Sequence, residues 1–202
     1  MYQRYEDIND KKEGSYKSIF STPIWIKDID PKKVNLTSTN FKSNFLSGTL
    51  SSYSFDNTNN KITVAGKEYL ESVILDCLKD FKIDKCNLIQ IWRNIYDDDF
   101  QERHNHTNSH FSFTIYEKLL KPQTMFYHPA HDMIHAARLN DIIYPYCFPE
   151  VKQNQIILFP SYLKHRICEQ KSDKTRYSLA FNIVPIGGYG YGDSQYNTEW
   201  FN

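Results

Sequence analysis

LFPSYLKHRICEQKSDKTRYSLAFNIVP, residues 158–185, sets two strand-like runs on either side of a polar spacer. The first run closes on Phe159-Pro160-Ser161, and a turn leads to His165. Eleven residues later Arg176 opens RYSLAFNIVP, in which Ser178, Ala180 and Asn182 alternate with Leu179, Phe181 and Ile183. That period of two is a strand with one apolar face. Arg176 and Ser178 then share the other face. A buried arginine on such a strand requires an anion, because an unpaired buried charge is prohibitively costly. A guanidinium fork with a hydroxyl beside it suits a carboxylate.

The same period runs through NLIQIWRNIY (87–96), HFSFTIYEK (110–118), QTMFYH (123–128), QIILFP (155–160) and KHRICE (164–169). These are β-branched or aromatic segments punctuated by Pro, Asn and Asp. TPIWIKDID (22–30) reads as a first strand. KEYLESVILDCLKDF (67–81) reads as a helix, with Leu70, Val73, Ile74, Cys77, Leu78 and Phe81 at spacings of three and four. The fold class is therefore mostly β with a supporting helix, a sandwich or jelly roll. We expect one domain over 1–202. It divides into an N-terminal arm, loop and helix (1–84), a β core (85–186) and an irregular, aromatic tail (187–202). Residues 1–20 read as a polar arm, and the Ser/Thr/Asn-rich stretch from 35 to 60 as a short helix followed by exposed loop.

The totals exclude several classes. Twenty-four basic and 24 acidic residues give zero net charge, which argues against a nucleic-acid partner. No apolar run approaches the roughly 18 residues that span a bilayer, and the first 20 residues lack a signal-peptide core. The expected location is the cytoplasm, the host's if the source is viral. Cys77, Cys86, Cys147 and Cys168 show no CxxC spacing and read as reduced structural thiols.

QERHNHTNSH (101–110) holds three of the seven histidines. On a strand His104 and His106, at i and i+2, converge on one point as two ligands of one ion must. Imidazole suits Fe, Zn, Cu and Ni alike. Taken alone, the pair reads equally as two surface histidines near a turn.

WRNIYDDDFQERHNH, NSHFSFTIYEK, ILFPSYLKHRI and RYSLAFNI together resemble the iron(II)- and 2-oxoglutarate-dependent oxygenases of the prolyl-hydroxylase-like group. The nearest likeness is to small bacterial and phage members. The resemblance covers roughly residues 88–185 and implies a double-stranded β-helix with iron at its open mouth. It implies His104 as the proximal metal ligand and His165 as the distal one. The carboxylate position of the family motif falls on His106, a departure that leaves three arrangements. They are a three-histidine face of His104, His106 and His165, which we favour, a two-histidine site completed by water or halide, and a shifted register with His106 first and Asn108 as an oxygen ligand. Asp97, Asp98 and Asp99 read as a solvated turn or an outer-shell partner.

The resemblance further implies 2-oxoglutarate as cosubstrate and O2 as oxidant. The far carboxylate of 2-oxoglutarate falls to Arg176 and Ser178, with Tyr116 and Asn94 as added hydrogen-bond partners. Tyr96, His110, His128 and Asn182 are further candidates for the pocket wall. The implied activity is hydroxylation of a peptide side chain, amino acid or small metabolite, with release of succinate and CO2. Two other readings stand beside it: a variant dioxygenase or halogenase using the altered ligand set, and a metal-free, cupin-like jelly roll that binds a small acid through Arg176. His131 and His135, at i and i+4 in HDMIH, lack the glutamate that a metalloprotease places after the first histidine. The aromatic tail is expected to cap the pocket or to pair two copies of the chain.

Overall fold

The computed structural model describes residues 22–43, 49–81, 83–97, 100–119, 124–138, 143–169, 175–189 and 196–197. The arm expected over 1–20 lies outside them. The strands are β1 (Trp25–Asp28), β2 (Leu36–Ser38), β3 (Lys42–Ser43), β4 (Leu50–Ser51), β5 (Asn60–Ile62), β6 (Cys86–Tyr96), β7 (Gln101–His104) and β8 (Phe111–Lys118). They continue with β9 (Thr124–Tyr127), β10 (Tyr146–Cys147), β11 (Gln155–Pro160), β12 (His165–Ile167), β13 (Arg176–Pro185), β14 (Gly188–Tyr189) and β15 (Tyr196–Asn197). Helices α1 (Pro31–Val34), α2 (Val64–Leu78) and α3 (His131–Ala136), with a 3-10 turn at Lys79–Phe81 that continues α2, complete the described elements.

A seven-stranded sheet runs β1-β11-β8-β13-β6-β4-β3, and a four-stranded sheet runs β10-β9-β12-β7. From β6 onward the chain steps between them. β6, β8, β11 and β13 join the large sheet, while β7, β9, β10 and β12 join the small one. Every described pairing in the two sheets is antiparallel. This alternation is the winding of the expected double-stranded β-helix, or jelly roll.

Helix α2 covers the outer face of the large sheet. Its Leu70, Val73, Ile74, Cys77 and Leu78 share a core with Ile91, Ile115, Leu158, Leu179 and Ile183. The inner face of the same strands meets the small sheet, where Tyr116, Phe126, Ile157, Phe159 and Leu163 form a second cluster. β11 divides its residues by parity, with Ile156 and Leu158 in one core and Ile157 and Phe159 in the other.

The structure corrects two expectations. No helix occurs among the described residues of 35–60. Asn35 adopts φ 47° and ends α1, after which Leu36–Ser38 pairs with Asn60–Ile62 and Leu50–Ser51 joins β6. The stretch is polar and yet partly buried, because its polar atoms bond one another. Ser52 Oγ donates to Asn60 Oδ1 at 2.7 Å, and Asn60 Nδ2 donates to the Ser52 carbonyl at 2.9 Å. The tail is also less irregular than expected, since Gly188–Tyr189 pairs with Tyr196–Asn197. The rest of the tail, and with it the capping or pairing role, lies outside the described residues. No described helix is long and apolar enough to cross a membrane.

Helix α2 begins three residues before the predicted 67. Thr63 caps it, its Oγ1 accepting from Gly66 N at 3.1 Å. Gly66 packs so closely on α1 that a Cβ there would lie 2.0 Å from the Val34 carbonyl oxygen. Alanine is favoured over glycine inside a helix by about 1 kcal/mol, but here backbone overlap opposes it. Gly66→Ala is therefore expected to lower stability by about 1–3 kcal/mol, the usual cost of overpacking, as measured by urea denaturation. A gain would show that α1 yields without cost.

Candidate metal centre

His104 ends β7, and His165 opens β12 directly opposite it in the antiparallel register. Cross-strand pairing thus places these two rings side by side, with centroids 4.4 Å apart. His106 lies two residues past the end of β7, so strand alternation is not what brings it in. Its main-chain N–H donates to the Ser161 carbonyl at 3.0 Å, tying this segment to the turn between β11 and β12. The His106 ring stands 5.2 Å from that of His104 and 5.3 Å from that of His165. The ligand atoms of the three lie within 4.8 Å of one another.

Hydrogen bonds orient two of the rings. His104 Nδ1 is 2.7 Å from the Glu102 carbonyl oxygen, and His165 Nδ1 is 3.0 Å from that of Leu163. A carbonyl only accepts, so each Nδ1 carries the proton and each Nε2 keeps its lone pair. Backbone carbonyls fix ligand tautomers in this way in metal sites. Burial holds all three rings neutral. It lowers His104, takes His106 down to about 4 with help from the nearby His104, and takes His165 well below its ordinary value.

Three neutral nitrogen donors fit a divalent transition metal. No carboxylate joins the group among the described residues. Asp97 accepts from Thr175 Oγ1 at 2.7 Å, while Asp98 and Asp99 lie outside the described residues. Asn108 donates its amide to Gln90 at 2.7 Å.

The rings face a cavity of about 590 Å3 between the two sheets, within the usual range for small-molecule sites. Its floor is the inner face of the large sheet, crossed by three rows of side chains. Ser51, Asn94 and Ser178 form one row, Trp92, Ala180 and Thr114 the next, and Gln90, Asn182 and Ser112 the third. Asn94 is buried with no hydrogen-bond partner for its Oδ1. Beyond the first row, Arg176 pairs in register with Tyr96. Arg176 is fully buried, donates to the Asp97 carbonyl at 3.2 Å, and holds its guanidinium carbon 5.3 Å from the centre of the Tyr96 ring. Burial raises the Tyr96 phenol, whose hydroxyl donates to Gln101 Oε1 at 3.3 Å.

Of the sequence candidates, His104, His106, His165, Asn94, Tyr96, Ser178 and Asn182 line the cavity. Tyr116 and Arg176 lie behind its wall. The Tyr116 hydroxyl is hydrogen-bonded to Thr124 Oγ1, and burial pushes the phenol up to about 12. His110 and His128 are exposed. Main-chain bonds to Ile183 and Ser161 pin His110, and His128 Nδ1 accepts from Ala130 N at 3.0 Å. His131 bonds Asp132 at 2.9 Å, and its ring centroid is 6.4 Å from that of His135. Sequence reasoning missed Gln90, Trp92, Tyr53 and Ser112. Gln90 and Trp92 share the parity of Asn94 in NLIQIWRNIY, which was a usable signal. Tyr53 lies in a Ser-rich stretch that carried none.

A family model described as "Putative 2OG-Fe(II) oxygenase" matches residues 90–182. A comparison with curated proteins gives no match. Among solved structures, the non-heme alpha-ketoglutarate-dependent epimerase SnoN of nogalamycin biosynthesis superimposes with TM-score 0.51 and 9% identity, over 83% of this chain and 80% of that one. A prolyl-4-hydroxylase from Pseudomonas putida gives 0.48 and 12%, over 80% and 93%. HygX from Streptomyces hygroscopicus, with nickel and 2-oxoglutarate bound, gives 0.47 and 11%, over 81% and 83%. The first of these supports the fold.

The metal-free protein should lose stability in acid. Each histidine of the trio binds its proton less readily folded than unfolded, so the unfolded chain protonates first as pH falls. The stabilisation from neutral rings is complete above about pH 6.5 and is lost towards about 4, the His106 value. Within that window each such ring contributes a slope of about 1.4 kcal/mol per pH unit. Urea midpoints between pH 7.5 and 4.5 should fall steeply in the wild type and less so in His106→Asn. Equal slopes would mean that the rings are not desolvated.

Proposed function

We propose that the protein is a 2-oxoglutarate-dependent iron(II) dioxygenase, as the family model matching residues 90–182 supports, and that it hydroxylates a peptide side chain, amino acid or small metabolite. The observation that carries this reading is the set of three clustered imidazoles, two of them with Nδ1 bonded to a carbonyl so that Nε2 keeps its lone pair, at a cavity beside the buried Arg176. His104, His106 and His165 would hold the iron. When bound, iron with 2-oxoglutarate and O2 supplies the oxidising power, the cosubstrate leaving as succinate and CO2.

The chain's own residues bind, orient and exclude water. Ser178 and Arg176 stand on one face of β13, at i and i+2, and serve the far carboxylate of 2-oxoglutarate. Asn94, opposite Ser178 in register, offers its side-chain amide N–H to the same carboxylate. Tyr96 lines the cavity and holds the face of its ring 5.3 Å from the Arg176 guanidinium carbon, which orients the fork. Tyr116 acts behind the wall, bracing β8 against β9 through Thr124. Trp92, Phe159 and Ile167 supply apolar lining that keeps the reacting C–H bond dry. No protein acid, base or nucleophile is required.

His106 at the carboxylate position favours a second reading, oxidation with an outcome other than hydroxylation. A neutral third ligand leaves the ion one negative charge short of the usual set. Product analysis separates the two: an added hydroxyl supports the first, and halogenation, desaturation or epimerisation the second.

Truncating one partner of a buried charge pair costs about 3–5 kcal/mol. Arg176→Ala is accordingly expected to weaken 2-oxoglutarate by on the order of 100- to 3000-fold, measured by anaerobic titration of the iron-loaded protein. The wild type should release succinate in the presence of iron and O2. Unchanged affinity in the variant, or no succinate from iron-loaded wild type, would contradict the assignment.

A further inference from the structure

The third row of the cavity floor is unused by the metal or by the residues proposed for the cosubstrate. We infer that this row, with Tyr53 at its mouth, is the substrate-recognition subsite, and that it takes a carboxylate or carbonyl oxygen rather than an ammonium group. The inference rests on the oxygenase reading in one respect, that 2-oxoglutarate occupies the Arg176 end.

Donors outnumber acceptors along this row. Gln90 Oε1 accepts twice, from Asn108 Nδ2 at 2.7 Å and Asn182 Nδ2 at 2.9 Å. Asn182 Oδ1 accepts from Ser112 Oγ at 2.8 Å. Ser112 has then used its only hydrogen, so at 2.8 Å Ser161 donates to it, and at 2.7 Å Ser109 donates to Ser161. At the other end Gln90 Nε2 donates to the Tyr53 hydroxyl at 2.9 Å. The chain therefore runs in one direction and uses up acceptors internally. Among the described residues it leaves the Tyr53 O–H and the second amide hydrogens of Gln90, Asn108 and Asn182, set against the side-chain oxygen of Asn108. Such a surface complements acceptor oxygens.

Charge points the same way. No carboxylate lines the cavity among the described residues, and Lys42 is the one formally charged side chain there, opposite Ser51 at the sheet edge. An ammonium entering this site would lose its hydration without gaining a counter-ion. Tyr53 is half exposed and packs edge-on to Trp92, ring centroids 5.5 Å apart, and the Trp92 ring in turn lies 5.9 Å from that of His106. A group held by Tyr53 and Gln90 is thus one aromatic residue away from the metal trio.

The test titrates the full chain, loaded anaerobically with iron(II) and saturating 2-oxoglutarate, with phenylacetate, phenylacetamide and phenethylamine. These probes share an aromatic skeleton and differ in the terminal group. Calorimetry should rank phenylacetate tightest, phenylacetamide next, and phenethylamine at least about tenfold weaker than phenylacetate. Tyr53→Phe, a mild change at a half-exposed site, should weaken phenylacetate by roughly three- to tenfold. Gln90→Leu should do so by at least as much, and both should leave the 2-oxoglutarate dissociation constant unchanged. Phenethylamine binding as tightly as phenylacetate, no binding of phenylacetate, competition between phenylacetate and 2-oxoglutarate, or an indifferent Tyr53→Phe would each overturn the subsite. Failure of 2-oxoglutarate itself to bind is read in a separate titration and counts against the oxygenase assignment instead.

Discussion

β13 lies at the centre of the large sheet and is needed on both faces. Leu179 and Ile183 pack beneath α2, while Ser178 and Asn182 face the cavity, with Arg176 buried at the strand's start. Side chains alternate strictly along a strand, so a slip of one residue would drive the polar set into the helix-covered core and the apolar set into the site. Neighbours on both sides hold the register, β6 along ten pairs and β8 along seven. The apolar packing that stabilises the fold is therefore the same constraint that aims the polar row inward. The cavity's chemistry is inherited from the pairing of its floor.

The metal trio depends on a different constraint, the closure of the small sheet. His104 and His165 meet because β7 pairs with β12, and a main-chain hydrogen bond to Ser161 ties His106 beside them. That same Ser161 contributes its hydroxyl to the network that ends at Gln90 and Tyr53. One turn between β11 and β12 thus supports the third ligand and one wall of the cavity together. Desolvation keeps the rings neutral, which suits metal binding and makes the empty fold sensitive to acid.

Much of this was legible in the amino-acid sequence. Period-two alternation located β6, β8, β11 and β13, and the strand from Arg176 to Pro185 has the bounds its pattern predicts. Spacings of three and four located α2, though Gly66 hid a start that Thr63 caps. The segment from 35 to 60 was not legible. Its short strands gain their order from partners far along the chain, as where Ser52 meets the Arg93 carbonyl, and local composition carries no trace of such pairing. In the site, the histidines were visible by type and spacing, but the mechanism of their meeting was not. His106 lies off the strand, and its anchoring donor is a backbone amide that no side-chain pattern reveals. Tyr116 resembled a pocket residue by position, and only the neighbouring Thr124 explains why its hydroxyl turns away.

The account stands on an iron held by three imidazoles, and X-ray absorption at the iron edge tests that most directly. The full chain, loaded anaerobically with one equivalent of iron(II) and 2-oxoglutarate, should retain one iron per chain. Its multiple scattering should be that of three imidazoles with oxygen donors completing the shell. Scattering from fewer than three imidazoles, or iron lost on desalting, would contradict it.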